Sequence, residues 1–63
     1  MMLVKVKYGS IDIIRKRPLQ DDDYYKSFEV VELMKDYAIV MCNNCTYAFK
    51  NKDLNIGEPM LNV

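Results

Sequence analysis

Apolar positions along this chain fall into short runs with a period of two, the spacing that sends successive side chains to opposite faces of a strand. The clearest case is the pair Tyr37-Ala38-Ile39-Val40-Met41-Cys42 and Cys45-Thr46-Tyr47-Ala48-Phe49-Lys50, which flanks Asn43-Asn44. Asn tolerates the positive φ that a two-residue type I′ turn demands, so the stretch predicts a hairpin of fixed register. Cys42 then faces Cys45, Val40 faces Tyr47 and Ala38 faces Phe49 on a wholly apolar side. Met41/Thr46, Ile39/Ala48 and Tyr37/Lys50 fill the other side, which is only half polar. The remaining strands are expected to assemble on this hairpin.

Upstream, Met2 to Tyr8 alternates, with Val4, Val6 and Tyr8 on one face and Lys5 and Lys7 on the other. Gly9-Ser10 suits a type II′ turn into a second strand, Ile11–Arg15, pairing Tyr8 with Ile11, Val6 with Ile13 and Lys7 with Asp12 as an outward ion pair. Pro18 ends that strand, having no N–H for a ladder. Leu19-Gln20-Asp21-Asp22-Asp23 reads as a solvated loop, because three adjacent carboxylates repel one another. Tyr24 to Lys35 has two readings. As a strand, Phe28 and Val30 share a face and the doublet Val30-Val31 shifts the phase, as a β-bulge would. As a helix capped by Ser27, it gathers Val30, Leu33, Met34, Tyr37 and Ala38 into one stripe. The strand is favoured because the rest of the chain reads as a meander. Asn51–Leu54 predicts a short turn or single 3₁₀ turn and Asn55-Ile56 a brief closing strand, giving one domain over 1–56 and a tail over 57–63.

Composition narrows the classes. At 63 residues the chain buries only about 60% of its unfolded surface, so a disulfide, a metal or a partner subunit is the usual supplement. With two Cys and no His, self-association is the favoured one. An apolar run near membrane-spanning length and a signal-peptide pattern are both missing, so a cytoplasmic protein with no membrane partner is expected. Charge is split: residues 1–17 carry Lys5, Lys7, Arg15, Lys16 and Arg17 against Asp12, or +4, whereas residues 20–36 carry Asp21, Asp22, Asp23, Glu29, Glu32 and Asp36 against Lys26 and Lys35, or −4.

Short strands joined by tight turns, a charged loop between the second and third, and the Lys52-Asp53-Leu54 turn together resemble the SH3-like small barrels, a group that includes Tudor, KOW and Sm-type modules. The resemblance covers residues 3–56. The aromatic groove of peptide-binding SH3 domains and the Gly pattern of KOW segments are absent, so no residue role carries over, and what it implies is a barrel with a binding role. The expected fold is mainly β, a small antiparallel five-stranded SH3-like barrel or curved meander, with an α+β arrangement carrying a helix at about 24–35 as the alternative.

Catalytic chemistry finds little purchase. The commonest general base is missing with His, and neither Ser10 nor Ser27 has an activating base nearby in sequence. Cys42-Asn43-Asn44-Cys45 has C-x-x-C spacing, yet zinc takes four ligands and a redox pair usually opens a helix, so the two thiols are read as small apolar residues beside a turn. A zinc or disulfide role, within one chain or between two, stays open as the alternative. Asp21, Asp22 and Asp23 lack the alternating spacing of a calcium loop. No catalytic residue, cofactor or metal is assigned.

Two binding readings follow. The first is a non-enzymatic interaction module, homodimeric through Tyr37, Ile39 and Met41, whose Asp21, Asp22, Asp23, Tyr24 and Tyr25 engage a protein partner with a basic surface. Its small size and Lys, Asn, Ile and Tyr content suit a phage or mobile-element inhibitor of a host protein. The second is a nucleic-acid-binding barrel using Lys5, Lys7, Arg15, Lys16 and Arg17, against which stands a pI of about 6.1.

Overall fold

The computed structural model describes residues 2–55. Six strands, β1 (Leu3–Val4), β2 (Ile11–Asp12), β3 (Arg17–Pro18), β4 (Phe28–Leu33), β5 (Tyr37–Cys42) and β6 (Cys45–Lys50), are joined with two 3₁₀ turns at Asp21–Tyr25 and Asn51–Asp53. Asn43 and Asn44 adopt φ of 52° and 65°, the left-handed pair a type I′ turn needs. The register of β5 and β6 is that of the pattern, from Cys42 opposite Cys45 to Tyr37 opposite Lys50. One sheet has the order β1-β4-β5-β6 and a second pairs β2 with β3, all antiparallel. The result is a mainly β, curved arrangement of two sheets that do not close into a five-stranded barrel.

Residues 24–35 resolve in favour of the strand, which overturns the helical alternative. Phe28 and Val30 point to the core, the register shifts between Val30 and Glu32, and Val31 is the extra residue at the bulge. That bulge returns Leu33 to the side of Ala38, its partner on β5, so the Val30-Val31 doublet costs the strand no phase. A helix here would have left the free edge of β5 without a hydrogen-bonding partner.

The first hairpin is a correction. Gly9 does hold a positive φ of 87°, but the Ser10 amide donates to the Lys7 carbonyl at 3.1 Å, which places Gly9 third in the turn. Positive φ there is the type II geometry, not II′. The chain leaves that turn without folding back on itself. Leu3 and Val4 pair with Glu29 and Phe28 of β4, Val6 bridges Leu54, and Ile11 and Asp12 pair with Pro18 and Arg17. Pairing at a distance does more for the core than the local hairpin would, since it buries Val4, Val6 and Leu54 together. Asp12 consequently never meets Lys7. Pro18 begins no break either; at the end of the two-stranded ribbon β2–β3, its missing N–H is tolerated. The Asn51–Asp53 3₁₀ turn matches expectation, and the closing pairing starts at Leu54, with the Asn55 amide donating to the Lys5 carbonyl at 3.2 Å. Ile56 and the 57–63 tail lie outside the described residues.

The core is Val4, Val6, Tyr24, Phe28, Ala38, Val40, Phe49 and Leu54. Full burial of a side chain such as Phe49 contributes about 1.5–3 kcal/mol. Phe28 meets Tyr47 and Phe49 edge-on, with centroids 5.6 and 6.2 Å apart, the geometry in which a positive ring edge approaches a negative face. These contacts join β4 to β6 over the top of β5.

Candidate functional site

Asp12 organises one end of the molecule. Its side chain is 1% exposed, a position a carboxylate occupies only when its oxygens are satisfied. Oδ1 accepts from the Ile14 and Ala48 amides, each at 3.1 Å, and Oδ2 from Arg15 Nη1 at 2.8 Å. The Ile14 bond is an Asx turn, an aspartate capping the amide two residues on. Ile13 N donates to the Ala48 carbonyl at 2.8 Å and Arg15 Nη1 to the Thr46 carbonyl at 2.8 Å. The 12–15 loop thus occupies the outer edge of β6 with a side chain and a guanidinium in place of another strand, a way of blunting an edge. The Asp12 hydrogen bond raises the Arg15 pKa, partial burial opposing it. The Arg15 guanidinium also lies 4.7 Å from the Tyr47 ring centroid, within cation–π range.

That arrangement walls a cleft of about 510 Å³ lined by Arg15, Arg17, Pro18, Leu19, Gln20, Asp23 and Tyr47. Burial pushes the Tyr47 phenol up from its ordinary value, with Cys45 and Asp23 adding and Arg15 opposing. Beyond Tyr47 a smaller hollow of about 200 Å³ holds Asp23, Lys26, Phe28, Cys42, Asn43 and Cys45.

The acidic run is an ordered 3₁₀ turn whose anchor is Tyr24. Buried at 5% exposure, Tyr24 donates its hydroxyl proton to the Ser10 carbonyl at 2.7 Å and accepts from the Leu19 amide at 2.9 Å. Of the two adjacent tyrosines expected to contact a partner, only Tyr25 is therefore presented, at 75% exposure. Asp21 accepts from the Tyr8 hydroxyl at 2.8 Å, and Asp23 pairs with Lys26 at 2.9 Å, raising the Lys26 pKa. Asp22 lies exposed between them. Tyr8, 67% exposed, leans its ring against Tyr24 at 5.0 Å between centroids. Its pKa is raised first by the hydrogen bond to Asp21.

The five basic candidates do not share one hairpin. Lys5 donates to the Tyr25 carbonyl at 2.8 Å, Lys7 precedes the Gly9 turn, and Arg15, Lys16 and Arg17 belong to the β2–β3 ribbon, where Lys16 takes a φ of 62°. On the outer face of the large sheet, Ile39 and Met41 are half-buried and Tyr37 is 37% exposed. Glu32 and Ala48 flank Ile39, and Glu29 and Thr46 flank Met41, so only Ala48 among these neighbours extends the apolar stripe beyond β5. Sequence reasoning missed Asp12, Tyr8 and Tyr47 as site residues. The doubled Ile13-Ile14 was the available signal for Asp12, since it breaks the alternation on which an outward-facing Asp12 depends.

Residues 3–60 match a family described as "Uncharacterized protein conserved in bacteria (DUF2225)", and the chain belongs to that family. Searches of curated proteins and of solved structures find no match. Among the described residues no helix is long and apolar enough to cross a membrane.

Proposed function

We propose that this member of the DUF2225 family is a non-enzymatic protein-interaction module that engages a basic surface of a partner through Tyr8, Asp21, Asp22 and Tyr25. One observation carries the reading: Tyr25 and Tyr8 are the two most exposed of the large hydrophobic side chains, and they flank the carboxylates of a turn that Tyr24 pins to the core. Exposed aromatic area on a rigid base is what a binding hot spot requires, because little side-chain entropy remains to be lost. Acidic groups around it favour encounter with a positive partner. In this reading the domain acts as an SH3-like binding module without barrel closure, a second copy pairs along Tyr37, Ile39 and Met41, and the phage-inhibitor role in the cytoplasm is one use of such a module.

Affinity capture from a bacterial lysate tests it, comparing wild type with Tyr25→Ala and Asp22→Ser. Loss of an exposed hot-spot tyrosine costs about 2 kcal/mol, roughly a 30-fold weaker complex. Tyr25→Ala should release partners that wild type retains, and Asp22→Ser should release them at lower salt. Identical partners held to the same salt strength by all three proteins would remove the acidic turn from the interface.

A further inference from the structure

Cys42 and Cys45 are directly opposed across the type I′ turn, and both thiols are free. Directly opposed residues on an antiparallel pair place their Cβ atoms about 4.5–5.5 Å apart, so the two sulfurs can converge on one atom between them. Both residues line the same 200 Å³ hollow, whose wall also carries Lys26 and the Tyr47 ring. No third donor joins them: among the described residues no group of three or more His, Cys, Asp or Glu side chains could hold an ion. Asp23, the one carboxylate in the wall, is bound to Lys26.

We propose that Cys42 and Cys45 form a two-thiolate site for a soft monovalent cation, Cu(I). Thiolate is the donor that selects soft ions, and the ligand number excludes the alternatives. Zinc takes four ligands in its structural sites, and this chain has two Cys and no His; calcium and magnesium take oxygen. Cu(I) accepts two sulfurs. Binding replaces two S–H bonds with two S–Cu bonds and releases both protons to solvent, with no change of oxidation state. The bound unit carries one net negative charge, and Lys26, held by Asp23 in the same wall, also faces the hollow. The turn holds the pair ready: Asn43 and Asn44 fix its geometry before any ion arrives, so little ordering cost falls on binding.

The test is an anaerobic titration of the reduced protein with Cu(I) in competition with a chromophoric Cu(I) chelator. One ion per chain is expected. Cys45 is exposed, so Cys45→Ser should fold as wild type by circular dichroism. Its Cu(I) affinity should drop by more than the about 10–100-fold that loss of a merely supporting group costs, and Cys42→Ser should behave alike. Undiminished affinity in folded Cys45→Ser overturns the site. So does a stoichiometry of one ion per two chains with dimerisation on metal addition, which would mean a four-thiolate centre shared between copies.

Discussion

The β5–β6 hairpin and the segment from Leu3 to Pro18 are both built from short alternating runs around a turn, and they fold by opposite rules. In the hairpin, two consecutive asparagines with positive φ leave only one way to fold back, and every cross-strand pair follows from the turn. In the N-terminal segment Gly9 supplies a turn of the same order of tightness, yet no strand pairing extends beyond the Ser10–Lys7 bonds that close it. Its strands go instead to β4, to Leu54 and to β3. A tight turn dictates register only when nothing distant offers the flanking residues more. For Val4 and Val6 the core offers more.

Asp12 is where that comparison breaks most sharply. Asp12→Ala leaves the Ala48 and Ile14 amides without their acceptor and Arg15 without its carboxylate. Each buried donor left unpaired costs about 1–3 kcal/mol, and the side chain at Arg15 is partly solvated, so the total should be about 2–4 kcal/mol. On a domain whose whole margin lies near the low end of about 5–15 kcal/mol, that removes roughly half of the stability or more and lowers the midpoint of urea unfolding in proportion. Asp12→Asn keeps one oxygen and should fall between. A loss under about 1 kcal/mol for Asp12→Ala would mean that the 12–15 loop does not hold the edge of β6.

The turns supply the next effect in size. Asn44→Ala removes the short polar side chain that lets Asn tolerate left-handed backbone, here with φ of 65°, at a cost of up to about 1–2 kcal/mol, whereas Asn44→Gly should be nearly neutral. Gly9→Ala meets no atom within 4 Å, so its penalty is conformational alone, about 1 kcal/mol. The hairpin turn should be the more sensitive of the two, because its strain falls on the longest pairing in the sheet. Equal destabilisation by the two alanines in denaturant melts would remove the distinction between a turn that sets register and one that only redirects the chain.

What was legible in the sequence was local. The I′ turn, the pairs it fixes, the Val30-Val31 bulge and the 3₁₀ turn at Asn51–Asp53 each depend on residues close together in the chain. What was not legible required knowing which segments meet. Lys7 and Asp12 look like an ion pair only if the first hairpin exists; without it, Asp12 is free to be buried against Ala48, 36 residues away. Tyr24 and Tyr25 look equivalent until the core claims one of them. The site inherits the same division. Asp21 to Asp23 were recognisable as a charged turn, but Tyr8 joined them through a hydrogen bond spanning 13 residues that no periodicity encodes.

The Tyr8–Asp21 bond gives the smallest effect and the most direct reading of that long-range join. Phenols ordinarily titrate near about pH 10. Tyr8 is shifted upward, first by donating to the Asp21 carboxylate and then by that group's charge, because ionisation would turn a donor into an anion facing an anion. A raised folded value means that the contribution to stability is fully present below about pH 10 and is lost as pH rises through the folded pKa. The ring is largely exposed, so solvent screening keeps the effect on stability small, and the titration itself is the better measurement. Tyrosinate absorbance followed through an alkaline titration should show Asp21→Asn moving one step downward, and Tyr8→Phe removing it. The elevated step of Tyr47, which burial sets, should remain in both variants. If Asp21→Asn leaves every tyrosine step in place, the acidic turn is not tied to the Gly9 turn in solution, and the N-terminal segment is freer than its contacts imply.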